Sequence, residues 1–306
     1  MSKPLIMILG ITASGKTRKA ALLASKIGGE IISADSRQVY KNMDLGTGKD
    51  LIDYFVDDTQ IKCHLVDIAE AGEKYDIFRY QSDFRKAVKD ISTRDNFPII
   101  CGGSGMYIET ALGLYDLKEV KSDEADREEL EKKSLEELIT LLESLKVPHN
   151  TSDFTDRNRL IRAIQIARTS DKQKGRQYDN KPNTRFIYGI NTPREIIRER
   201  ITTRLKDRLE SGLITEVEQL IKSGVPLSTL YYYGLEYKFV SMYIEGQLTY
   251  EEMFNKLNTA IHQFAKRQMT WFRRMESRGI SIKWLPNETE IVVDSIVTDL
   301  RNSGLL

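Results

Sequence analysis

The sequence predicts an α/β fold with a mostly parallel sheet, interrupted by a helical insertion. Three observations predict it. An apolar run of strand length, Leu5–Leu9, stops at Gly10 and gives way to helical spacing over Lys16–Ile27. Strand-like and helix-like segments then alternate as far as Cys101, as parallel strands joined by helical crossovers do. From Asp116 to about Thr184 the apolar spacing is helical, with no convincing strand.

In chain order, a second strand fits Glu30–Ser33 and a third fits His64–Asp67. Asp76–Ser92 reads as a helix with Phe78, Phe84, Ala87, Val88 and Ile91 as its apolar stripe, and Phe97–Cys101 as a strand ending at Gly102-Gly103. Leu135–Leu145 carries the long apolar stripe of the insertion. Arg185–Asn191 returns to strand character. Arg194–Glu276 is helical, with breaks at Gly212, Gly224-Val225-Pro226, Gly234 and Gly246. The expected division is a first part of the core at 1–115, a helical insertion at 116–184 and a mostly helical second part of the core at 185–306. The polar segment Ser170–Asn183 is expected to be a mobile loop.

The 306 residues suffice for one large domain or two smaller ones. The Leu5–Leu9 run is too short for a signal-peptide core, and no run approaches the ~20 apolar residues that span a membrane. Cys63 and Cys101 form no CxxC pair, and neither they nor His64, His149 and His262 have metal-site spacing. A cytoplasmic protein with no membrane association is expected, acting as a monomer. The net charge of +1 says nothing about nucleic acid, but the distribution does. Residues 116–143 hold eleven Asp/Glu against five Lys/Arg, whereas 157–208 hold fifteen Lys/Arg against five Asp/Glu. A solvated helix face is the ordinary reading of one such run. A second basic segment, Lys266–Arg278, and a phosphate loop turn the balance toward a phosphate-rich partner.

That loop is Gly10-Ile11-Thr12-Ala13-Ser14-Gly15-Lys16-Thr17, which fits G-x-x-x-x-G-K-[ST] between a strand and a helix and predicts a P-loop NTPase-like core. Gly10 and Gly15 let the backbone wrap an anion, and the amides of the loop point at it from the helix N-terminus. Lys16 neutralises phosphate, and the Thr17 hydroxyl is suited to hold Mg²⁺. The motif alone identifies a diphosphate or triphosphate binder without specifying ATP. The strand end where a nucleotide-hydrolysing protein would keep a magnesium-binding carboxylate reads Gly102-Gly103-Ser104. The acidic residue placed at a strand end is Asp35, where an open α/β sheet faces its ligand crevice. It has three roles open to it: organising Mg²⁺, acting as a general base, or capping a helix.

The runs Gly10–Thr17, Glu30–Tyr40 (EIISADSRQVY), Met43–Lys49 (MDLGTGK), His64–Asp67 (HLVD), Gly102–Tyr107 (GGSGMY), Arg159–Ala163 (RLIRA) and Ala265–Trp271 (AKRQMTW) resemble, in order and across most of the chain, the bacterial tRNA dimethylallyltransferase family. The resemblance implies that Gly10, Thr12, Ala13, Ser14, Gly15, Lys16 and Thr17 hold the diphosphate of dimethylallyl diphosphate with Mg²⁺. It implies that Asp35 takes a proton from the exocyclic amine of the adenine immediately 3′ of the anticodon, flipped into the crevice. Thr17, Lys16 and an arginine of the Arg194/Arg200/Arg204 series would stabilise the leaving group. Arg200 and Arg204, four apart, share a helix face. Contacts to tRNA would come from Asp35, Ser36, Arg37, Gln38, Ser104, Arg157, Arg159, Arg162, Lys266 and Arg267, with the insertion gripping the anticodon stem-loop. Where the family has Thr, Thr-Arg and Gly-Tyr, this chain has Ser104, Ile261-His262 and Gly234-Leu235. Ile11 stands where many members carry Pro, and the insertion is short.

The alternative acceptor is a free nucleotide, as in an adenylate isopentenyltransferase, which would not need the basic insertion or the basic carboxyl-terminal helix. A nucleotide kinase would need an ATP lid and the missing carboxylate. A non-catalytic RNA-binding module would not need both an intact phosphate loop and Asp35. Stacking on bases by the Tyr231–Tyr233 cluster competes with its packing as a helix junction.

Overall fold

Strand β1 (Leu5–Leu9) is completely buried, as its unbroken apolar run requires of a strand with helices on both faces. The computed structural model describes residues 3–114, 124–145, 157–170 and 185–306. Around β1 lie β2 (Gly29–Ala34), β5 (Cys63–His64), β6 (Phe97–Gly102), β7 (Arg185–Ile190) and β8 (Lys283–Leu285). They form one six-stranded sheet in the order β5-β2-β6-β1-β7-β8, every pair parallel. A short hairpin, β3 (Phe55–Val56) and β4 (Thr59–Gln60), stands apart from it. Helices α1 (Lys16–Ile27), α2 (Ile77–Thr93) and α3 (Gly105–Ala111) follow β1, β5 and β6.

The register sets the functional edge. Leu9 of β1 and Ala34 of β2 both pair with Gly102 of β6, so three strands end at one level. The phosphate loop, Asp35 and Gly103-Ser104 therefore leave the sheet side by side. With strands ~4.8 Å apart, the loop and Asp35 start about 10 Å from each other.

The helical half of the core breaks where its glycines and proline fall: α7 (Arg194–Glu210), α8 (Leu213–Lys222), α9 (Leu227–Tyr233), α10 (Leu235–Ile244) and α11 (Tyr250–Ser277). Helix α11 opens with a capping box in which Thr249 and Glu252 satisfy each other's backbone amides. Its buried stripe, Met253, Leu257, Ile261, Ala265, Gln268, Phe272 and Met275, is apolar at every position but Gln268. Helix α12 (Thr289–Asn302) packs its Val292, Val293, Ile296 and Leu300 into the core on the α1 side of the sheet. The chain divides into two compact units, residues 1–114 with 182–306, and residues 115–181. The second unit contains α4 (Glu124–Glu131), α5 (Leu135–Leu145) and α6 (Arg157–Ser170), packed around Leu130, Leu138, Leu142, Leu160 and Ile164. The segment expected to be a mobile loop lies, beyond Ser170, outside the described residues.

One strand was misplaced by sequence reasoning. The third strand is Cys63–His64 and does not run on to Asp67, because Leu65 and Asp67 have φ of 64° and 55°, incompatible with an extended ladder. The apolar character of Leu65-Val66 comes from packing in a turn. The short helix α3, strand β8 and helix α12 had no expectation of their own.

His64 lies beside β2 with its Nε2 2.7 Å from Glu30 Oε2. Glu30 also accepts from Arg94 at 2.6 and 2.8 Å and from Asn96 at 2.9 Å, with Lys62 at 3.6 Å. Burial raises the Glu30 pKa, but the hydrogen bonds from Arg94, His64 and Asn96 outweigh it and bring the carboxyl down to about 2. Glu30, His64 and Asp90 sit close enough together to share an ion, but Arg94 and Lys62 already neutralise both carboxylates. A depressed folded-state pKa supplies stability above the unfolded carboxylate value, near 4.3, that is lost as pH falls toward 2. Urea unfolding of the wild type is therefore expected to weaken between pH 5 and pH 2.5. Glu30→Gln is expected to be less stable at pH 7 and to lose less stability over that acid range.

Candidate functional site

Gly10 and Gly103 have no room for a side chain at the sheet edge. A Cβ on Gly103 would collide with Gly10 O and with the Gln268 carboxamide, and one on Gly10 would strike Ser14 Oγ. The chain closes in here because Gln268 reaches in from α11. Its Oε1 accepts from Thr12 N at 2.8 Å, and its Nε2 donates to Gly103 O at 3.0 Å. One buried carboxamide thus joins the phosphate loop after β1 to the loop after β6. Sequence reasoning assigned Gln268 no role. A glutamine in the buried stripe of an amphipathic helix was the available signal.

Within the loop Ala13 adopts φ 60° and Gly15 φ 69°, the left-handed turns that coil the backbone around an anion. Ser14 Oγ is buried and has no hydrogen-bond partner. Lys16 lies half-buried, its Nζ 3.4 Å from Ile11 O. Burial lowers its pKa; Cys101, Asp35 and Asp50 oppose that effect and Arg204 adds to it. Burial pushes the Cys101 thiol up to about 11, offset in part by Lys16 and by a hydrogen bond with Thr17, so Thr17 faces the end of β6.

Arg204 and Arg208 of α7 converge on Asp50, at 2.6 and 3.2 Å. Burial lowers the Arg204 pKa and Arg208 lowers it further, while its buried Nε has no partner. A cavity of about 20 Å³ lies between the loop and α7, lined by Thr12, Ala13, Arg204, Arg208 and Glu236. Unsatisfied donors and cations whose charge is penalised by burial favour negative charge beside this loop. Of the arginine pair expected here, Arg204 bears on Lys16, whereas exposed Arg200 bears on Lys19. A hollow of about 870 Å³ beside β5 and α2 holds no comparable set of unmet donors among the described residues.

Asp35 follows β2 directly. Its Oδ1 accepts from Arg37 N at 2.9 Å, an Asx turn that fixes the carboxylate at the edge. Ser36 N donates to Ser104 Oγ at 3.2 Å, and Ser104 N donates to Ala34 O at 3.3 Å, tying the Asp35 and Ser104 loops together. Gln38 is engaged internally, accepting from Ser33 Oγ and donating to Gly48 O, each at 3.1 Å. The loop carrying Gly48 and Asp50 is held by Glu216, which accepts from the amides of Asp44, Leu45 and Gly46 at 2.8, 2.8 and 3.0 Å. Sequence reasoning missed Glu216 and Asp50 because their partners lie far along the chain.

Lys266 and Arg267 are exposed on α11 beside Gln268. Arg157, Arg159 and Arg162 are exposed on α6 in the other unit. Arg157 also donates to Glu131 O at 2.7 Å and to Lys133 O, closing the turn between α4 and α5. Ile261 is buried in the α11 stripe, and His262, with its Nε2 3.4 Å from Thr202 Oγ, has its pKa lowered by burial and by Arg198.

Residues 38–275 match the family described as IPP transferase, and residues 3–67 match that described as Isopentenyl transferase. The chain belongs to the IPP transferase family. It is 51% identical over 294 residues to a protein named tRNA dimethylallyltransferase 1 from Parabacteroides distasonis, covering 95% of this chain and 96% of that one. It is 51% identical over 281 residues to one of the same name from Porphyromonas gingivalis, covering 92% and 93%. Among solved structures it resembles the full-length tRNA isopentenylpyrophosphate transferase of Bacillus halodurans, with a TM-score of 0.71 and 26% identity over 99% of this chain and 98% of that one. The family membership and the parallel-sheet fold read from the motifs both hold. No helix among the described residues is long and apolar enough to cross a membrane.

Two substitutions test the IPP transferase site as built. Gln268→Leu keeps the bulk but leaves Thr12 N and Gly103 O buried without partners. At about 1–3 kcal/mol for each orphaned group, a lower thermal midpoint and weaker inorganic pyrophosphate binding are expected by calorimetry. Asp50→Asn removes the counter-charge from both guanidinium groups, and pyrophosphate is expected to bind severalfold more tightly.

Proposed function

We propose that this chain transfers a dimethylallyl group from dimethylallyl diphosphate to the exocyclic amine of the adenine immediately 3′ of the anticodon in tRNA, releasing diphosphate. The observation that carries the reading is the shared level of β1, β2 and β6. It sets an anion site with unmet donors beside a carboxylate at the end of the next strand but one.

The reaction breaks the C1–O bond of the allylic diphosphate and forms a bond from C1 to the adenine nitrogen. The amides of residues 13–17, Lys16 and Arg204 take up the charge that grows on the departing diphosphate, and donors already in place spend no energy reorganising. Arg200, exposed on the same helix, would add positive charge at the rim of the site. Asp35 accepts the amine proton on Oδ2, since Oδ1 already accepts from Arg37 N. Closure of Gly103 against Gly10 and Gln268 excludes water from allyl-cation character.

A divalent cation of the Mg²⁺ type fits this edge. The donor the loop itself offers is a hard oxygen, the Thr17 hydroxyl, and the buried Ser14 Oγ in the same loop is unpartnered. Bound there with the diphosphate, Mg²⁺ would supply further neutralisation of the leaving group.

The acceptor is an anticodon stem-loop, gripped by the helical unit through Arg159, Arg162 and Arg157, with Lys266 and Arg267 on phosphates near the crevice. Ser36, Arg37, Gln38 and Ser104 surround the adenine. The enzyme acts as a cytoplasmic monomer. Labelled dimethylallyl diphosphate offered with an anticodon stem-loop, AMP and ATP is expected to label the stem-loop alone. Label on AMP or ATP, or on none of the three, would contradict the assignment. Asp35→Asn is expected to lower turnover at least a hundredfold while stem-loop binding stays within severalfold of wild type.

A further inference from the structure

Helix α9 ends in three consecutive tyrosines, which at 100° per residue cannot share one face. Tyr233 points inward: it is 1% exposed, packs 4.4 Å from the Tyr40 ring, and its hydroxyl accepts from Gly72 N at 2.6 Å and donates to Glu73 O at 3.1 Å. The Tyr231 hydroxyl donates to Glu245 at 2.5 Å. Tyr232 is left 55% exposed, with the Arg37 guanidinium carbon 4.9 Å from its ring centre.

Arg37 is the residue whose amide is bound to the Asp35 carboxylate, so the ring and guanidinium adjoin the proposed base through a backbone turn rather than a flexible linker. Tyr107 shares the neighbourhood. Burial raises its pKa, and Tyr40, Arg37, Asp35 and Tyr232 all act on its hydroxyl. An exposed aromatic ring with an arginine over it, beside the carboxylate that would receive a flipped adenine, is the pairing on which unpaired bases stack.

We propose that Tyr232 and Arg37 form a stacking platform for an unpaired nucleobase adjacent to the adenine being modified. The inference rests on the RNA-modifying reading above. Stacking is tolerant of base identity, so the platform supplies affinity and register for the loop rather than a sequence code, with purines favoured by their larger faces. Arg37 holds the ring and brings positive charge to the same base. Tyr232 is a binding residue and takes no part in proton transfer.

The test uses the full-length enzyme and two anticodon stem-loops, each with 2-aminopurine on one side of the target adenine. The wild type is expected to quench one of the two. Tyr232→Phe is expected to keep that quenching, and Tyr232→Leu, which retains apolar bulk without a π face, to lose it. The KM for stem-loop is expected to rise about fivefold to a hundredfold in Tyr232→Leu, as loss of one base stack implies. Its kcat should stay within twofold, and the salt dependence of binding should be unchanged because no phosphate contact is lost. Equal quenching and KM in Tyr232→Leu and wild type, with the stem-loop still modified, would overturn the platform alone. A stem-loop that the wild type neither binds nor modifies would overturn the RNA reading and the platform together.

Discussion

A glutamine side chain holds the working edge of this protein together. Gln268 accepts from the backbone of the phosphate loop and donates to the backbone of the loop after β6, across 256 and 165 residues of sequence. The close approach it bridges leaves no room for a Cβ at Gly103. Once those two loops are joined, the level ends of β1, β2 and β6 place Asp35 and Ser104 beside the anion site with little freedom left. The remainder of α11 serves this placement. A capped N-terminus and an apolar stripe anchor the helix, and Gln268 is the polar group that the stripe carries inward.

The electrostatics follow from the same closure. A chain of net charge +1 has no global field to draw in a polyanion. It concentrates donors locally instead: Lys16 and Arg204 are both penalised by burial, and the Ser14 hydroxyl and Arg204 Nε are unmatched. Asp50 balances Arg204 and Arg208 from a loop that Glu216 pins through three amides. A P-loop with no carboxylate at the end of β6, and with Asp35 at the end of the neighbouring strand β2, is the arrangement that the proposed prenyl transfer uses.

Much of this was legible in the residues, and the exceptions have physical causes. The breaks between α7 and α11 fall at Gly212, Gly224 to Pro226, Gly234 and Gly246 because glycine and proline act locally. The phosphate loop and Asp35 were legible because strand, loop and helix are contiguous in sequence. Strand β5 was overextended because apolar character does not reveal the positive φ of Leu65 and Asp67. Gln268, Asp50 and Glu216 were missed for a common reason: each acts on a partner more than a hundred residues away, and nothing local distinguishes such a side chain from a solvated one. The tyrosine cluster was ambiguous for a similar reason, since only packing reveals that Tyr233 is buried and Tyr232 is not.

The central claim is that the phosphate loop serves a prenyl diphosphate rather than a nucleoside triphosphate. Calorimetric titration of a non-ionising thio analogue of dimethylallyl diphosphate, with and without saturating ATP, tests it most directly in the wild type and Lys16→Ala. The account predicts that the analogue binds the wild type at one site, is displaced poorly by ATP, and binds Lys16→Ala at least tenfold more weakly. Tight ATP binding that excludes the analogue, or analogue binding indifferent to Lys16, would contradict it.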